Sequence, residues 1–228
     1  MRRIATIAAV LLSPLLGASA EPGATSPELA AAGWSAGIWR GVPPALFSTL
    51  PGGGLRVRGQ GAGGFVRRAV SGPAQCLYWR WRVDAGPPAT VLTRRGGDDR
   101  ALAISIGFAG WPSFASLWQR TQHGFAQAAA GDHALPRSML IYTWGGTGQE
   151  PRPFPSPYLA GLGQVRVLQP AHAPRGVWME QRADLAGDWR ATFGGDPPPM
   201  LELAIGADTD DTNSPLDAMV EGIRFGPC

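Results

Sequence analysis

From Leu55 onward, apolar and polar residues alternate with a period of two over much of the chain, the signature of strands with one face buried. The clearest case is Cys76-Leu-Tyr-Trp-Arg-Trp-Arg-Val-Asp84. There Trp79, Trp81 and Val83 point one way, and Tyr78, Arg80, Arg82 and Asp84 the other. Aromatic and β-branched residues suit a half-buried pleated surface, so the tryptophan face belongs to a core. The arginine face has two readings: a solvated or salt-bridged surface, which is favoured, or one wall of a groove for an anionic or sugar ligand.

Similar runs predict strands over 55–58, 65–70, 101–108, 138–144, 164–168, 177–182, 201–207 and 219–225. Residues 55–58 and 65–70 read as a hairpin across the glycines of 59–64. The prolines of 151–157 deny that stretch ladder hydrogen bonds and make it a loop. In two places the period changes to helical. Phe114, Leu117, Trp118, Thr121 and Phe125 predict a helix of about four turns lying over a sheet edge. Leu185, Trp189 and Phe193 predict a short helix capped by Asp184 and ended by Gly194-Gly195. The fold expected is all-β, an antiparallel β-sandwich of jelly-roll type with one or two short helices.

The N-terminus changes the picture of where such a sandwich works. Met1-Arg-Arg3, an apolar run to Leu16 and Ala18-Ser-Ala20 have the order of a signal peptide over 1–20. Residues 21–50, rich in Ala, Gly, Ser and Pro, form a lead-in, and 51–228 the sandwich, with 110–137 as a partly helical insert. The expected location is periplasmic or secreted. Without Arg2 and Arg3, eighteen arginines face seventeen acids, which gives no basis for nucleic-acid binding. No apolar stretch beyond the leader is long enough for membrane insertion. The chain contains no lysine, which removes Schiff-base chemistry. In an exported chain Cys76 and Cys228 are expected to form a disulfide.

Three polar groupings carry the candidate chemistry. Asp98-Asp99 follows a glycine pair, and Asp208-Thr-Asp210-Asp-Thr-Asn213 leaves a strand; together they form a candidate calcium site through Asp98, Asp99, Asp208 and Asp210. The competing reading is a pair of turns whose Asp and Asn side chains bond their own backbone. The third grouping joins Tyr78, Arg80 and Arg82 to Tyr142 and Trp144 as a sugar-binding face. Glu180, Glu202 and Glu221 all fall in strands, but spacing selects no glycosidase pair among them, and Glu202, between two leucines, reads as solvent-facing. His123, His133 and His172 each read as surface residues. Nucleophile-elbow, zinc-protease, phosphate-loop and dinucleotide signatures are absent, so no catalytic residue is assigned.

The ordered set Trp79-Arg-Trp-Arg-Val83, Gly97-Asp-Asp99, Tyr142-Thr-Trp144, Asp188-Trp-Arg-Ala-Thr-Phe-Gly194 and Ala207-Asp-Thr-Asp-Asp-Thr212 resembles domain-of-unknown-function family 3047 of bacterial exported proteins. The resemblance spans roughly Trp39 to Phe225 and implies a secreted sandwich with no established activity. This chain has Ala103 where the family pattern has an arginine after the Asp pair, and Asp210-Asp-Thr212 where it has Asp-Asn-Thr. The leading expectation is a monomeric, non-catalytic module that binds carbohydrate or another cell-envelope component, such as a polysaccharide. A carbohydrate-active enzyme (lyase or hydrolase) and a structural envelope protein are the alternatives.

Overall fold

The tryptophan strand sits near the middle of the molecule. The computed structural model describes residues 20–130 and 133–228, so the leader expected over 1–20 lies, except for Ala20, outside the described residues. The strand β6 (Cys76–Ala85) keeps its alternation, with Leu77, Trp79, Trp81 and Val83 buried and Arg80 exposed. It belongs to a five-stranded sheet in the order β11 (Met179–Asp184), β6, β13 (Pro215–Gly226), β4 (Leu55–Gln60) and β3 (Leu46–Thr49). Facing it is an eight-stranded sheet. Its first four strands are β1 (Ala20–Pro22), β2 (Ser35–Trp39), β5 (Gly63–Ala69) and β12 (Met200–Asp208). It continues through β7 (Arg100–Phe108), β8 (Ser138–Gly145), β10 (Gly163–Gln169) and β9 (Phe154–Pro155). The two sheets make a jelly-roll β-sandwich.

The core between the sheets is aromatic. Trp79 and Trp81 of β6 meet edge to face at 5.4 Å, and across the sandwich Trp81 packs on Trp144 at 5.7 Å and Trp79 on Tyr142 at 6.0 Å. Such pairs add roughly 0.5–1.5 kcal/mol each beyond the area they bury. One end of the core is closed by helix α3 (Leu185–Phe193), where Trp189 packs on Phe108 and Phe193. Asp184 caps α3 by accepting the Gly187 N–H at 2.9 Å, as the sequence predicts. The lead-in contributes the short helix α1 (Pro27–Ala31) and strands to both sheets, with Trp34 buried beneath the Arg68 guanidinium.

Three expectations are corrected. Residues 55–58 and 65–70 do not form a hairpin, because β4 pairs with β13 and β3, and β5 with β12 and β2. The chain passes between sheets at Gly61, whose φ of 53° and N–H bond to the Ser214 carbonyl turn it away from its neighbour. Within the proline-rich loop, Phe154–Pro155 pairs antiparallel with β10 as an edge strand, a place where a missing N–H costs nothing. β10 itself runs parallel to β8, since the connection between them is long enough for a crossover. The remaining strand pairs are antiparallel.

The expected disulfide joins Cys76 to Cys228, with their Cα atoms 5.0 Å apart and 152 residues between them in sequence. Closing so long a loop stabilises the folded state by up to about 5 kcal/mol through the unfolded chain. A bridge of this kind belongs to an oxidising environment. No described helix is long and apolar enough to cross a membrane. Replacing both cysteines by alanine is expected to lower unfolding free energy by roughly 2–5 kcal/mol in urea titration with native secondary structure retained. An unchanged midpoint contradicts a stabilising bridge.

Candidate functional site

The face of the larger sheet turned away from the core carries a trough of about 520 Å³, inside the roughly 300–1,000 Å³ range of small-ligand pockets. Its floor is made of small and apolar side chains: Ala103 and Ser105 of β7, Met139 and Ile141 of β8, and Ala204 and Gly206 of β12. The other side of the same strands supplies the core residues Leu102, Ile104, Leu140, Tyr142, Leu203 and Ile205.

One bulge places charge in this trough, and a second re-aims a residue of its neighbour strand. Between Arg100 and Leu102 the register of β7 slips against both β8 and β12. Ala101 and Leu102 then both enter the core, and Arg100 is turned to the trough side. A second slip, at Leu201, turns Met200 into the core, while Glu202 keeps by plain alternation the trough side that it shares with Ala204 and Gly206. Bulges of this sort re-aim single side chains at functional surfaces.

At one end of the trough, one nitrogen of Arg100 lies 2.9 Å from Asp98 Oδ2 and 3.9 Å from Asp208 Oδ2. Tyr158 donates its hydroxyl to Asp98 Oδ1 at 2.8 Å, and Arg100 stacks 5.7 Å from the Trp39 ring centre. Burial pushes Asp208 up to about 8 against the pull of Arg100, and burial together with the Asp98 bond pushes Tyr158 to about 12. Asp208 Oδ1 is out of solvent and takes no hydrogen bond.

Beside this ladder stand Trp39 and Phe65, 5.9 Å apart. Their rings fit because the strands beneath carry glycine. A Cβ on Gly37 would lie 2.2 Å from the Phe65 ring, and one on Gly63 would lie 2.9 Å from Trp39 and 2.5 Å from Asp208 Oδ1. At the other end Glu202, its side chain 8% exposed, lies 3.0 Å from His133 Nε2 and 3.9 Å from Arg67. The His133 contact is misaligned for a hydrogen bond and leaves Nε2 without one. Burial raises Glu202 to about 7, opposed by Arg67, and burial and then Arg67 lower His133.

The sequence-derived candidates are distributed differently. Tyr142 and Trp144 lie in the core at 1% exposure and so cannot share a face with the arginines of β6. Tyr142 donates to Asp188 Oδ2, and burial and Asp188 hold its hydroxyl well above the usual tyrosine range. Arg80 pairs with Glu221, Arg82 with Asp84, and the Tyr78 hydroxyl with the Pro227 carbonyl, on the outer face of the smaller sheet. That face is salt-bridged rather than grooved, since opposite charges fall beside one another in register. Glu180 is exposed opposite Arg80 on this sheet, and Glu202, expected at the surface, is buried in the trough.

The two Asp loops do meet. Asp99 is 1% exposed and accepts from the Thr212 N–H and hydroxyl and, at 3.4 Å, from the Asp211 N–H. Thr209 bonds the backbone of Ala62 and ties this loop to the crossing between sheets. Of the four proposed metal ligands, Asp98 and Asp208 are turned to Arg100, whereas Asp99, Asp210 and Asp211 bring carboxylate oxygens within 4.8 Å of one another. Sequence reasoning missed Arg100, Trp39, Phe65 and Tyr158. Arg100 adjoins the Asp pair in the sequence, but strict alternation places it on the core side with Leu102.

Helix α2 (Leu117–Ala130) forms as expected, yet none of its residues is buried. Phe114, Leu117, Trp118 and Phe125 face outward at 52–81% exposure. The opposite face holds the helix over the trough: His123 contacts the Leu135 and Pro136 carbonyls, and Gln119 donates to the Ala160 carbonyl at 2.6 Å.

Glu202 and Asp208 hold protons to about pH 7 and 8, whereas their ordinary values are 4.5 and 3.8. Unfolding therefore releases protons within that window. Stability is expected to fall as pH rises from about 5 to about 8, by up to ~1.4 kcal/mol per pH unit for each group, and then to level off. Glu202→Gln with Asp208→Asn is expected to flatten this slope in denaturant titrations, and an unchanged slope in that variant contradicts the assignment.

The chain belongs to the protein family of unknown function DUF3047, whose model matches residues 55–224. No curated protein matches it. Among solved structures, it is similar to the xyloglucanase domain of NopAA, a type three effector from Sinorhizobium fredii in complex with cellobiose. That match has 10% identity, covers 90% of this chain and 97% of the other, and has a TM-score of 0.44. A meso-active thermo-stable cellulase derived from Cel12A of Rhodothermus marinus matches with 12% identity, 92% and 99% coverage and a TM-score of 0.43. A Loop Swap mutant of Necallimastix patriciarum Xyn11A matches with 8% identity, 91% and 96% coverage and a TM-score of 0.39.

Proposed function

We propose that this protein is an exported module, periplasmic or secreted, that binds a glycan of the cell envelope in the trough without cleaving it. The observation that carries the reading is the aromatic platform of Trp39 and Phe65 beside the Asp98–Arg100–Asp208 ladder, over a floor of small and apolar residues. Rings that stack on pyranose faces, next to charged groups that take several hydroxyl bonds, are the combination sugar recognition needs.

The carboxylates argue against hydrolysis. Glycosidases hold their acid and its partner about 5–9.5 Å apart across the scissile bond. Glu202 and Asp208 are six residues apart on one strand, or ~20 Å at the usual rise per residue. Asp98 and Asp208 are nearer, but both face the same Arg100 nitrogen, which fills the space a glycosidic oxygen would need.

Calorimetric titration of the disulfide-bonded protein with a panel of envelope-type oligosaccharides tests the reading. Binding without release of reducing ends is expected, together with a loss of about tenfold or more in Trp39→Ala, the equivalent of ~1.4 kcal/mol. Gly63→Ala is expected to weaken binding as well, because its Cβ displaces Trp39 and Asp208. Failure of every glycan to bind at millimolar concentration, or full affinity in Trp39→Ala, overturns it.

A further inference from the structure

The end of the trough around Glu202 holds two ionisable side chains that lack hydrogen bonds. Arg67 follows Phe65 by two residues on β5, and both line the trough with Glu202. The Arg67 guanidinium lies 3.9 Å from Glu202 Oε2, beyond hydrogen-bond reach, and 6.0 Å from the Phe65 ring centre. Among the described residues none accepts a hydrogen bond from Arg67, and none bonds the Glu202 carboxyl, whose side chain is 8% exposed. A guanidinium largely withdrawn from water without acceptors is costly, and a ligand that supplies them removes that cost. Arg67 keeps 21% of its side chain open to solvent, so this end is covered but reachable.

Resting on the carbohydrate reading above, we propose that the glycan is acidic, and that Arg67 forks the carboxylate of one uronate residue whose ring lies on Phe65. Phe65 and Arg67 are alternate residues of one strand and project on the same side, about 7 Å apart at their bases. A pyranose stacked on the Phe65 ring can therefore direct its own carboxylate at the guanidinium. The planar donors of arginine match both oxygens of such a group. Leu135 and Pro136 cover this end, Pro136 so closely that a Cβ on Gly107 would lie 2.3 Å from its Cγ. A cover of that kind keeps water back and strengthens the charge pair.

The groups around Arg67 do not compete for that fork. Burial holds the Glu202 proton to about pH 7, and in its acid form Glu202 can donate an O–H to the incoming carboxylate; once ionised it repels it. His133, after α2, is neutral or cationic and in neither form opposes an anion, and the same holds for His123 on α2. Arg137 turns outward to the Ala109 carbonyl and the Trp111 ring. The neighbouring β7 and β8 contribute Ser105, Gly107 and Met139, none of which titrates. The Asp98–Arg100–Asp208 end lies ~20 Å away along β12, farther than the roughly 8–10 Å over which charges act through salt solution.

The test is calorimetric titration of the intact, disulfide-bonded protein in EDTA at about pH 6 and about pH 8. The probes are galacturonate oligomers, their methyl esters and N-acetylglucosamine oligomers of equal length. At pH 6 the acid oligomer is expected to bind at least tenfold more tightly than its ester, with the preference shrinking as salt rises. The preference is also expected to shrink at pH 8, where Glu202 is ionised while the uronate is ionised at both values. Arg67→Gln is expected to bring the ratio near one with ester binding retained. Glu202→Gln, which keeps the neutral form, is expected to hold the preference at both pH values, a result that a purely structural role does not produce. Equal affinity for acid and ester, or a preference that survives Arg67→Gln, overturns the inference and leaves the carbohydrate reading standing. A preference in the native protein that is the same at both pH values, or one that Glu202→Gln abolishes, overturns it too. If none of the three probes binds, the carbohydrate reading fails first and this inference with it.

Discussion

The contact between the indoles of β6 and the aromatic residues of β8 is the constraint on which the rest of the molecule depends. Trp79 and Trp81 can reach Tyr142 and Trp144 only if both strands keep strict alternation and the two sheets stack face to face. Once that register is set, every other trough-facing residue on β8 is also fixed, and Met139 and Ile141 must point outward. The same commitment leaves Tyr78, Arg80 and Arg82 on the far surface, where Arg80 pairs with Glu221 of the next strand, Arg82 with Asp84 of its own, and Tyr78 with the Pro227 carbonyl. The interior thus decides which surface can become a site and which becomes a salt-bridged exterior. The disulfide then holds β6 to the chain beyond β13.

Much of this was legible in the sequence because alternation is a local property. The strand β6, the helix α3 with its Asp184 cap, and the nine main strands follow from spacing alone. The reading fails where one residue breaks the period. A bulge at Ala101 turns Arg100 to the trough, and another at Leu201 turns Met200 into the core; Glu202 keeps the period and faces away from the core, but alternation does not tell an open surface from a covered trough. Tyr142 and Trp144 were legible as strand residues, but which sheet face they occupy depends on the partner sheet, and that information is not local.

Two longer-range features were hidden for a related reason. The pair β4 and β5 has the composition of a hairpin, yet the turn at Gly61 sends each strand to a different sheet, because Ser214 and Thr209 from the far end of the chain bond the backbone on either side. The apolar stripe on α2 has the period of a buried face, but polar contacts from His123 and Gln119 hold the opposite side against the domain. Hydrophobic spacing proposes a face for burial; competing hydrogen bonds to fixed carbonyls decide whether that face is used. The Asp loops are the converse case, since their meeting through Asp99 requires the sheets to have formed first.

The bulge at Ala101 has a consequence for how such a surface changes over generations. Because register rather than side-chain identity decides which way Arg100 points, removing a single codon there would draw the guanidinium toward the interior, where an unpaired charge is very costly. Adding one elsewhere along a floor strand would instead expose a formerly hidden side chain to the trough. Short insertions and deletions, usually confined to loops, are therefore a direct route by which a lineage built on this sandwich could rewrite the charge of its groove while keeping the core sequence almost intact.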